Sequence, residues 1–293
     1  MDKVAGGAVR LCNGVFMPMI GYGSFRCSGK ETIERAIDAA LGAGYRLIDT
    51  AHLYQNETEI GEALQRLLPK HQLSRAQIFI TTKLLPMENR DDTINGVKGS
   101  LERLQTDYLD LVLIHFPKPF GAGGYDDPKN PEHRKTTWLA LEELQKSGAI
   151  RSIGVSNYEI RHLDELYTYA TVQPAVNQCE CHPHMTRDAL RTYCAEKNMH
   201  FQAFSSLARC HTDLLTEPLL EKIAAKHSTT VHQVLLAWAL AQHISVLPKS
   251  EKPQRIVDNF QAINVHLSND EVAELSKLNR DKAYTKCDGW NVL

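Results

Sequence analysis

Ionisable side chains follow short apolar runs at three places in the chain. The stretch LIDTAHLY (47–54) ends an apolar run with Asp49 and brings Tyr54 five residues later. Lys83 ends the run IFITTK, and His115 ends the run LDLVLIH. An aspartate, a lysine, a histidine and a tyrosine together are suited to delivering a proton to a developing alkoxide, with no nucleophile and no metal required.

Tyr54 is the candidate acid of this group. An unperturbed tyrosine has a pKa of about 10 and is a poor proton donor near neutrality. A buried Lys83 would favour the tyrosinate and lower that pKa, while Asp49 would compensate the buried ammonium charge. His115 could donate a hydrogen bond to a substrate oxygen or share the tyrosine proton.

Elements of two kinds alternate along the chain and must position these residues. Eight apolar runs have the length of strands, and they occupy residues 17–21, 46–49, 78–83, 109–115, 152–156, 175–178, 201–204 and 245–249. Amphipathic helical patterns separate them; the first has Ser28 and Glu31 as a capping box, with Gly42 or Gly44 near its end. This alternation predicts parallel strands and favours a closed (β/α)8 TIM barrel.

A Rossmann sheet is the competing fold. It normally carries G-x-G-x-x-G after the first strand, but Gly21 and Gly23 are not followed by a third glycine, and the P-loop pattern is also incomplete. Ahead of the first strand, Asn13 and Gly14 lie between apolar residues and predict a β-hairpin that closes the barrel floor.

Polar residues end or follow seven of the eight runs. Active sites of such barrels lie at the carboxyl ends of the strands, where many strands meet at one rim. The residues predicted at this rim are Asp49, Lys83, His115, Ser156, Asn157, Gln178, Ser205 and Lys249.

The composition excludes several classes of protein. The chain has 293 residues, 43% hydrophobic and 23% charged, with a formal net charge of −2, which gives no reason to expect a nucleic-acid partner. It shows no secretory signal and no run of the roughly 20 apolar residues that a membrane helix needs. Seven scattered cysteines are typical of a reducing compartment. We expect one cytoplasmic, monomeric domain over residues 1–293, acting on a small molecule.

Six motifs in order resemble the aldo-keto reductase family over almost the whole chain. They are GYRLIDTAHLYQNE, IFITTKL, DLVLIHFP, IGVSN, AVNQCECHP and LPKSEKPQRIVDN. The resemblance implies that Asp49, Tyr54, Lys83 and His115 are catalytic. It also implies reversible hydride transfer between a nicotinamide cofactor and the carbonyl of an aldehyde or ketone.

The resemblance further implies which residues bind the cofactor: Ser24, Ser156, Asn157, Gln178, Phe204, Ser205, Leu207, Lys249, Ser250, Arg255, Asp258 and Asn259. Among them, Ser156, Asn157 and Gln178 would hydrogen-bond the nicotinamide carboxamide. The pyrophosphate would run past Ser205 and Leu207.

At the other end of the cofactor, cationic side chains would bind the 2′-phosphate. Lys249, Ser250 and Arg255 resemble the family's clamp for a 2′-phosphate, which predicts NADPH rather than NADH. Phe204 replaces the family's usual tyrosine, and stacking on the nicotinamide needs only its ring. The last two positions, an aspartate in place of a common glutamate and an asparagine, would contact the adenine or its anchoring loop.

The substrate pocket is the part that the sequence specifies least. Phe25 and Phe116 stand where family members often have tryptophan, so aromatic and aliphatic aldehydes are plausible substrates. The short tail suggests an open pocket, although Tyr284 and Trp290 could fold over it. Steroid, sugar, prostaglandin and small-aldehyde substrates all stay open.

Two other functions remain as alternatives. One is a cofactor-binding regulatory protein that resembles the potassium-channel β-subunits of a related branch. The other is a metal-dependent barrel hydrolase, which is disfavoured because the first strand lacks a His-x-His pair. Cys179, Cys181 and His182 are close in sequence, but alternation points both thiols away from Gln178, so we expect no metal. His52 is interpreted as a loop or rim residue.

Overall fold

A β-hairpin opens the described part of the chain. The computed structural model describes residues 4–121, 123–287 and 289–293. Strands β1 (Ala8–Arg10) and β2 (Phe16–Pro18) pair antiparallel, and Gly14 in their turn has φ 87°. Met17 is fully buried and packs with apolar side chains of the barrel strands. The predicted hairpin at the barrel floor is therefore confirmed.

Eight parallel strands form the barrel. They are β3 (Tyr22–Gly23), β4 (Leu47–Asp49), β5 (Phe79–Leu84), β6 (Leu109–Ile114), β7 (Ile150–Ser156), β8 (Val176–Glu180), β9 (His200–Phe204) and β10 (Ser245–Val246). Each strand pairs with the next in chain order, and a parallel bridge between Ile20 and Val246 joins the last strand to the first. The sheet thus closes, which confirms the predicted (β/α)8 barrel.

Helices connect the strands and cover the barrel. Their bounds are α1 (Lys30–Ala43), α2 (Glu57–Lys70), α3 (Arg90–Leu104), α4 (Asn130–Lys146), α5 (Ile160–Tyr167), α6 (Asp188–Glu196), α7 (Thr212–Leu215), α8 (Pro218–Lys226), α9 (Val231–Ala241), α10 (Pro253–Phe260) and α11 (Asn269–Ser276). In α1 the buried side chains recur with helical period, at positions 33, 36, 37, 40 and 41. No helix in the described ranges is long and apolar enough to cross a membrane.

Two local predictions are wrong. The apolar run 17–21 is not one barrel strand, because its first residues pair within the hairpin and the barrel strand begins at Tyr22. The capping box of Ser28 and Glu31 is also absent, since α1 starts after Gly29, whose φ of 86° and lack of a side chain leave no cap hydrogen bond. Of the two glycines predicted near the end of α1, Gly44 caps the helix with φ 111°, whereas Gly42 lies inside it.

Alternation along the strands separates an apolar barrel interior from a polar rim. Leu47, Leu113, Val176 and Leu247 belong to the interior apolar cluster. Since side chains two residues apart lie on the same face of a strand, Asp49 and Gln178 also point inward, one step nearer the carboxyl ends, and His115 continues the pattern directly after β6. The residues between them, such as Cys179, pack outward under the helices. The rim therefore collects the polar side chains that the sequence predicts there.

Candidate active site

An ion pair lies at the centre of the rim. Lys83 Nζ is 2.5 Å from Asp49 Oδ1, and the lysine also donates a hydrogen bond of 2.9 Å to the backbone oxygen of Thr50. The Lys83 side chain is fully buried and that of Asp49 is 5% exposed. Burial lowers the pKa of Lys83, and the Asp49 carboxylate opposes this by favouring the ammonium. The predicted compensation of Lys83 by Asp49 is confirmed.

Tyr54 approaches this pair from the loop after β4. A short 3₁₀ turn, His52–Tyr54, places its hydroxyl 3.4 Å from Lys83 Nζ. Desolvation raises the pKa of Tyr54 well above its usual value, and the nearby Asp49 carboxylate acts in the same direction. The predicted lowering of this pKa is therefore wrong, because desolvation of the phenolate and the Asp49 carboxylate outweigh any stabilisation of the tyrosinate by Lys83. At neutral pH the phenol carries its proton.

His115 lies beside the phenol. Its ring centroid is 5.5 Å from that of Tyr54, with the two planes at 73°. Desolvation lowers the pKa of His115 well below its usual value, and the Lys83 charge adds to this, so the imidazole is neutral. Its Nδ1 atom is buried without a hydrogen-bond partner among the described residues. A neutral imidazole has one donor nitrogen, and it can hold a substrate oxygen without competing as an acid.

The three residues predicted at the nicotinamide form a hydrogen-bonded group next to His115. Ser156 Oγ donates to the backbone oxygen of Gln178 at 2.8 Å. Asn157 Nδ2 donates to the backbone oxygen of His115 at 2.9 Å. Asn157 has a φ of 62°, a conformation that asparagine tolerates better than most residues. This kink turns the chain across the end of β7 and gathers the three side chains.

One residue of this network was missed by the sequence analysis. Gln178 Nε2 donates to Asp49 Oδ2 at 2.8 Å and to Gln202 Oε1 at 2.8 Å. Gln202 is fully buried. The signal was present in the run FQAF, because Gln202 is two residues before Phe204 and so shares its inward face.

Other predicted cofactor residues lie on the loops of the same rim. Ser24 is buried, and its hydroxyl donates to the backbone oxygen of Asp49 at 2.8 Å. Phe204 is partly exposed at the end of β9. Ser205 Oγ is 3.2 Å from Thr285 Oγ1, which ties this loop to the tail. Leu207 is buried, with 9% exposure.

Cations collect at the end of β10. Lys249 Nζ is 3.0 Å from Glu251 Oε1, and both side chains are partly exposed. Arg255, in the first turn of α10, is exposed, and within the described residues its guanidinium makes no ion pair. A guanidinium that makes no ion pair is suited to binding a phosphate.

The remaining predicted positions surround these cations. Ser250 and Asn259 are buried, with 9% and 7% exposure. The Asp258 carboxylate accepts a hydrogen bond of 2.8 Å from Gln254, one helical turn earlier. Asp258 and Asn259 lie in α10, and Ser250 lies in the segment that leads into it.

Aromatic side chains flank Tyr54. The Phe25 ring is 5.0 Å from the Tyr54 ring, and Phe25 is 45% exposed. Phe116 is buried and borders a cavity of about 180 Å³, whose other lining residues are Lys118, Phe120, Gly123, Gly124, Tyr125 and Lys286. Phe25 therefore packs against the phenol, whereas Phe116, directly after His115 in the chain, packs against Phe120 and borders the cavity.

The tail packs against the rim. A Cβ atom added to Gly289 would lie 2.2 Å from the backbone oxygen of Asn157, so the tail crosses directly over that residue. The Leu293 amide donates to the backbone oxygen of Tyr125 at 2.8 Å. Trp290 lies over the guanidinium of Arg187, 5.6 Å from the ring centroid. Its contact with a substrate stays a prediction.

A buried histidine fastens the tail and makes stability pH-dependent. His162 Nε2 is 2.8 Å from the backbone oxygen of Val292, and its Nδ1 accepts from the Glu159 amide at 3.0 Å. Desolvation lowers the pKa of His162 from 6.5 to about 4. The unfolded chain therefore binds this proton at a higher pH than the folded one, so the contribution is complete above pH 6.5 and is lost as pH falls toward 4.

We expect the free energy of unfolding to fall by about 1 to 3 kcal/mol from this residue between pH 6.5 and 4. Urea unfolding of the wild type and of His162→Gln across this range measures it. The glutamine cannot take up the proton, so its curve should be flatter. Parallel curves for the two proteins would contradict the assignment. His200, whose pKa burial also lowers to about 4, should leave part of the slope in place.

The cysteine and histidine group at the end of β8 is buried and packs against its neighbours. Cys179 and Cys181 are fully buried on the outer face of the barrel, as alternation predicts. His182 Nε2 is 3.0 Å from Glu180 Oε1, and that carboxylate accepts from the Tyr284 amide at 2.8 Å. No group of three potential metal ligands occurs in the described part of the chain. At the rim, His52 is exposed, and its Nδ1 is 2.9 Å from an Arg103 nitrogen.

Comparison with known proteins decides the family. The model of the aldo/keto reductase family matches residues 11–280. The chain belongs to this family. Aldo-keto reductases are oxidoreductases that act on carbonyl groups.

Similar proteins come from bacteria and animals. The chain is 39% identical to the glyoxal reductase of Bacillus subtilis, over 94% of this chain and 93% of that protein. It is 36% identical to the aldo-keto reductase family 1 member A1 of Bos taurus, over 95% of this chain and 91% of that protein.

Solved structures of aldo-keto reductases share the fold. One, from a Medee basin deep-sea metagenome library, is 36% identical with a TM-score of 0.86, covering 96% of this chain and 98% of that one. Another, the Bombyx mori aldo-keto reductase in complex with NADP, is 28% identical with a TM-score of 0.88, covering 98% and 97%.

Proposed function

We propose that this aldo-keto reductase is an NADPH-dependent carbonyl reductase with Tyr54 as its proton donor. The observation that carries the proposal is the buried Lys83–Asp49 pair, with Lys83 Nζ 3.4 Å from the phenol oxygen of Tyr54. An ammonium placed there stabilises the phenolate that remains once the proton has left.

Each residue of the site has a distinct task in this reaction. Tyr54 is protonated at neutral pH and gives its proton to the alkoxide that develops on the substrate. Lys83 then balances the phenolate charge, and Asp49 holds Lys83 in place. His115, being neutral, orients the carbonyl by a hydrogen bond. When bound, the reduced nicotinamide supplies the hydride.

The cations between β10 and α10 favour NADPH as the cofactor. Arg255, in the first turn of α10, is exposed without an ion pair in the described ranges, and Lys249 lies in the segment that leads into this helix. Two cations are what a dianionic 2′-phosphate calls for. The Bombyx mori relative in complex with NADP supports the same choice.

Glu251 should weaken this preference. Its carboxylate pairs with Lys249 and would compete with the phosphate for that ammonium. We expect Glu251→Gln to tighten NADPH about two- to fivefold and to leave NADH unchanged, as for loss of a partly exposed ion pair. Fluorescence titration measures both dissociation constants. Glu274→Gln, which breaks the exposed pair with Lys277, is the matched control. Equal tightening of both cofactors would contradict this role.

The substrate is proposed to be an aldehyde or ketone with an apolar part. Phe25 packs against the Tyr54 phenol, Phe116 borders a cavity directly after His115 in the chain, and the glyoxal reductase relative adds dicarbonyls to the candidates. NADPH oxidation against aromatic, aliphatic, dicarbonyl and keto-steroid substrates, repeated with NADH, tests the proposal. We expect turnover with NADPH. Silence across the panel, with NADPH binding confirmed by fluorescence quenching, would instead favour a cofactor-binding regulatory protein.

A further inference from the structure

Gln202 is a buried amide inside the barrel. It lies in the middle of β9, in register with Gln178 of β8, and is fully buried. Below it lies Met17 of the floor hairpin, whose sulfur is 3.9 Å from Gln202 Nε2. Thioether sulfur is a weak acceptor, so the contact with Met17 compensates little of the cost of burying the amide nitrogen. The stronger contact of this amide is therefore the one that its oxygen makes with Gln178.

The hydrogen bonds of Gln178 show what Gln202 contributes. An amide nitrogen has two protons, and those of Gln178 go to Asp49 Oδ2 and Gln202 Oε1, each at 2.8 Å. The Asp49 carboxylate, paired with Lys83, can only accept. The orientation of the Gln178 amide is therefore fixed from both sides. Its own oxygen is left as the acceptor for any further partner.

We propose that Gln202 is a positioning residue for the nicotinamide end of the cofactor. By accepting the second amide proton of Gln178, it holds the Gln178 oxygen as a hydrogen-bond acceptor for the carboxamide. This rests on the proposed function, which assigns Gln178 to the cofactor. Because Gln178 also donates to Asp49, the same hydrogen bonds link the cofactor site to the Asp49–Lys83 pair beside the proton donor.

Gln202→Met tests this role, since methionine has similar length but no strong acceptor. Dissociation constants for NADPH and NADH are measured by fluorescence titration. We expect both to rise about three- to tenfold and by the same factor, because the nicotinamide end is common to both cofactors. Gln202→Glu keeps an acceptor oxygen and should restore both constants to within about twofold of the wild type. Gln202→Thr, which is too short to reach Gln178, provides a second loss variant if the methionine protein does not fold.

Asn177→Ala is the matched control. Asn177 precedes Gln178, points to the outer face of the barrel, and donates from its buried amide to the backbone oxygen of Tyr158 at 3.1 Å. It should lower the melting temperature without changing either dissociation constant. Wild-type affinity in both loss variants would overturn the proposal. So would failure of Gln202→Glu to restore binding, or equal weakening by Asn177→Ala. A wild-type protein that binds neither cofactor would overturn the proposed function as well.

Discussion

Replacing Tyr54 by phenylalanine is expected to lower kcat for carbonyl reduction by about 10²- to 10⁴-fold, the usual contribution of a positioned general acid. The phenol is the proton-bearing group 3.4 Å from Lys83 Nζ, and His115 is neutral and holds no proton acidic enough to replace it. The variant keeps its ring against Phe25 and His115, so NADPH should bind with nearly unchanged affinity. Steady-state kinetics with the best substrate and fluorescence titration of NADPH measure the two effects.

The control for this change is Tyr108→Phe. Tyr108 lies just before β6, at the opposite end of the barrel, where its ring packs between Arg75 and Arg151. Loss of that hydroxyl should leave kcat unchanged. A Tyr54→Phe protein that keeps a near-normal kcat would remove Tyr54 from the mechanism.

The second large effect is expected at Arg255. We predict that Arg255→Met weakens NADPH by about 1.5 to 3 kcal/mol, or roughly 10- to 150-fold, because a charge-assisted contact with the 2′-phosphate is lost. NADH lacks this phosphate, so its affinity should change little. The ratio of the two dissociation constants, measured by titration at fixed ionic strength, is the quantity to compare.

Arg90→Met is the matched control for loss of an exposed arginine. Arg90 pairs with Glu143 at 2.6 Å on the outer helices and is half-exposed. Arg90→Met should change neither the NADPH nor the NADH dissociation constant. If Arg255→Met weakens NADPH and NADH equally, Arg255 does not read the 2′-phosphate and the preference must lie elsewhere.

The polar residues at the rim could be predicted from the sequence because their placement depends only on where each apolar run ends and on the order of the strands. Asp49, Lys83 and His115 each end an apolar run, and parallel strands bring their carboxyl ends to one rim whatever lies between them. The period of two along each strand then decides which side chains face inward. For the same reason, the outward placement of Cys179 and Cys181 was predictable.

The failed predictions share a dependence on neighbours that are distant in sequence. The start of the first barrel strand depended on whether residues 17–21 pair with the hairpin or with β10, and both pairings occur. The direction of the Tyr54 pKa depended first on how strongly burial penalises the phenolate, and then on the Asp49 carboxylate, which acts in the same direction. Burial of the phenol and its distance from Asp49 depend on the closed barrel, and neither can be derived from the spacing of residues in the sequence.

By itself, the sequence determined the barrel, the floor hairpin and the set of polar residues at the rim. These follow from hydrophobic periodicity and strand order, which every segment carries locally. Only the tertiary structure decided that Gln178 joins Asp49 to Gln202, that Arg255 has no ion pair in the described ranges, and that the tail crosses over Asn157. Each depends on side chains or backbone from segments far apart in the chain, whose contacts exist only after the barrel has closed.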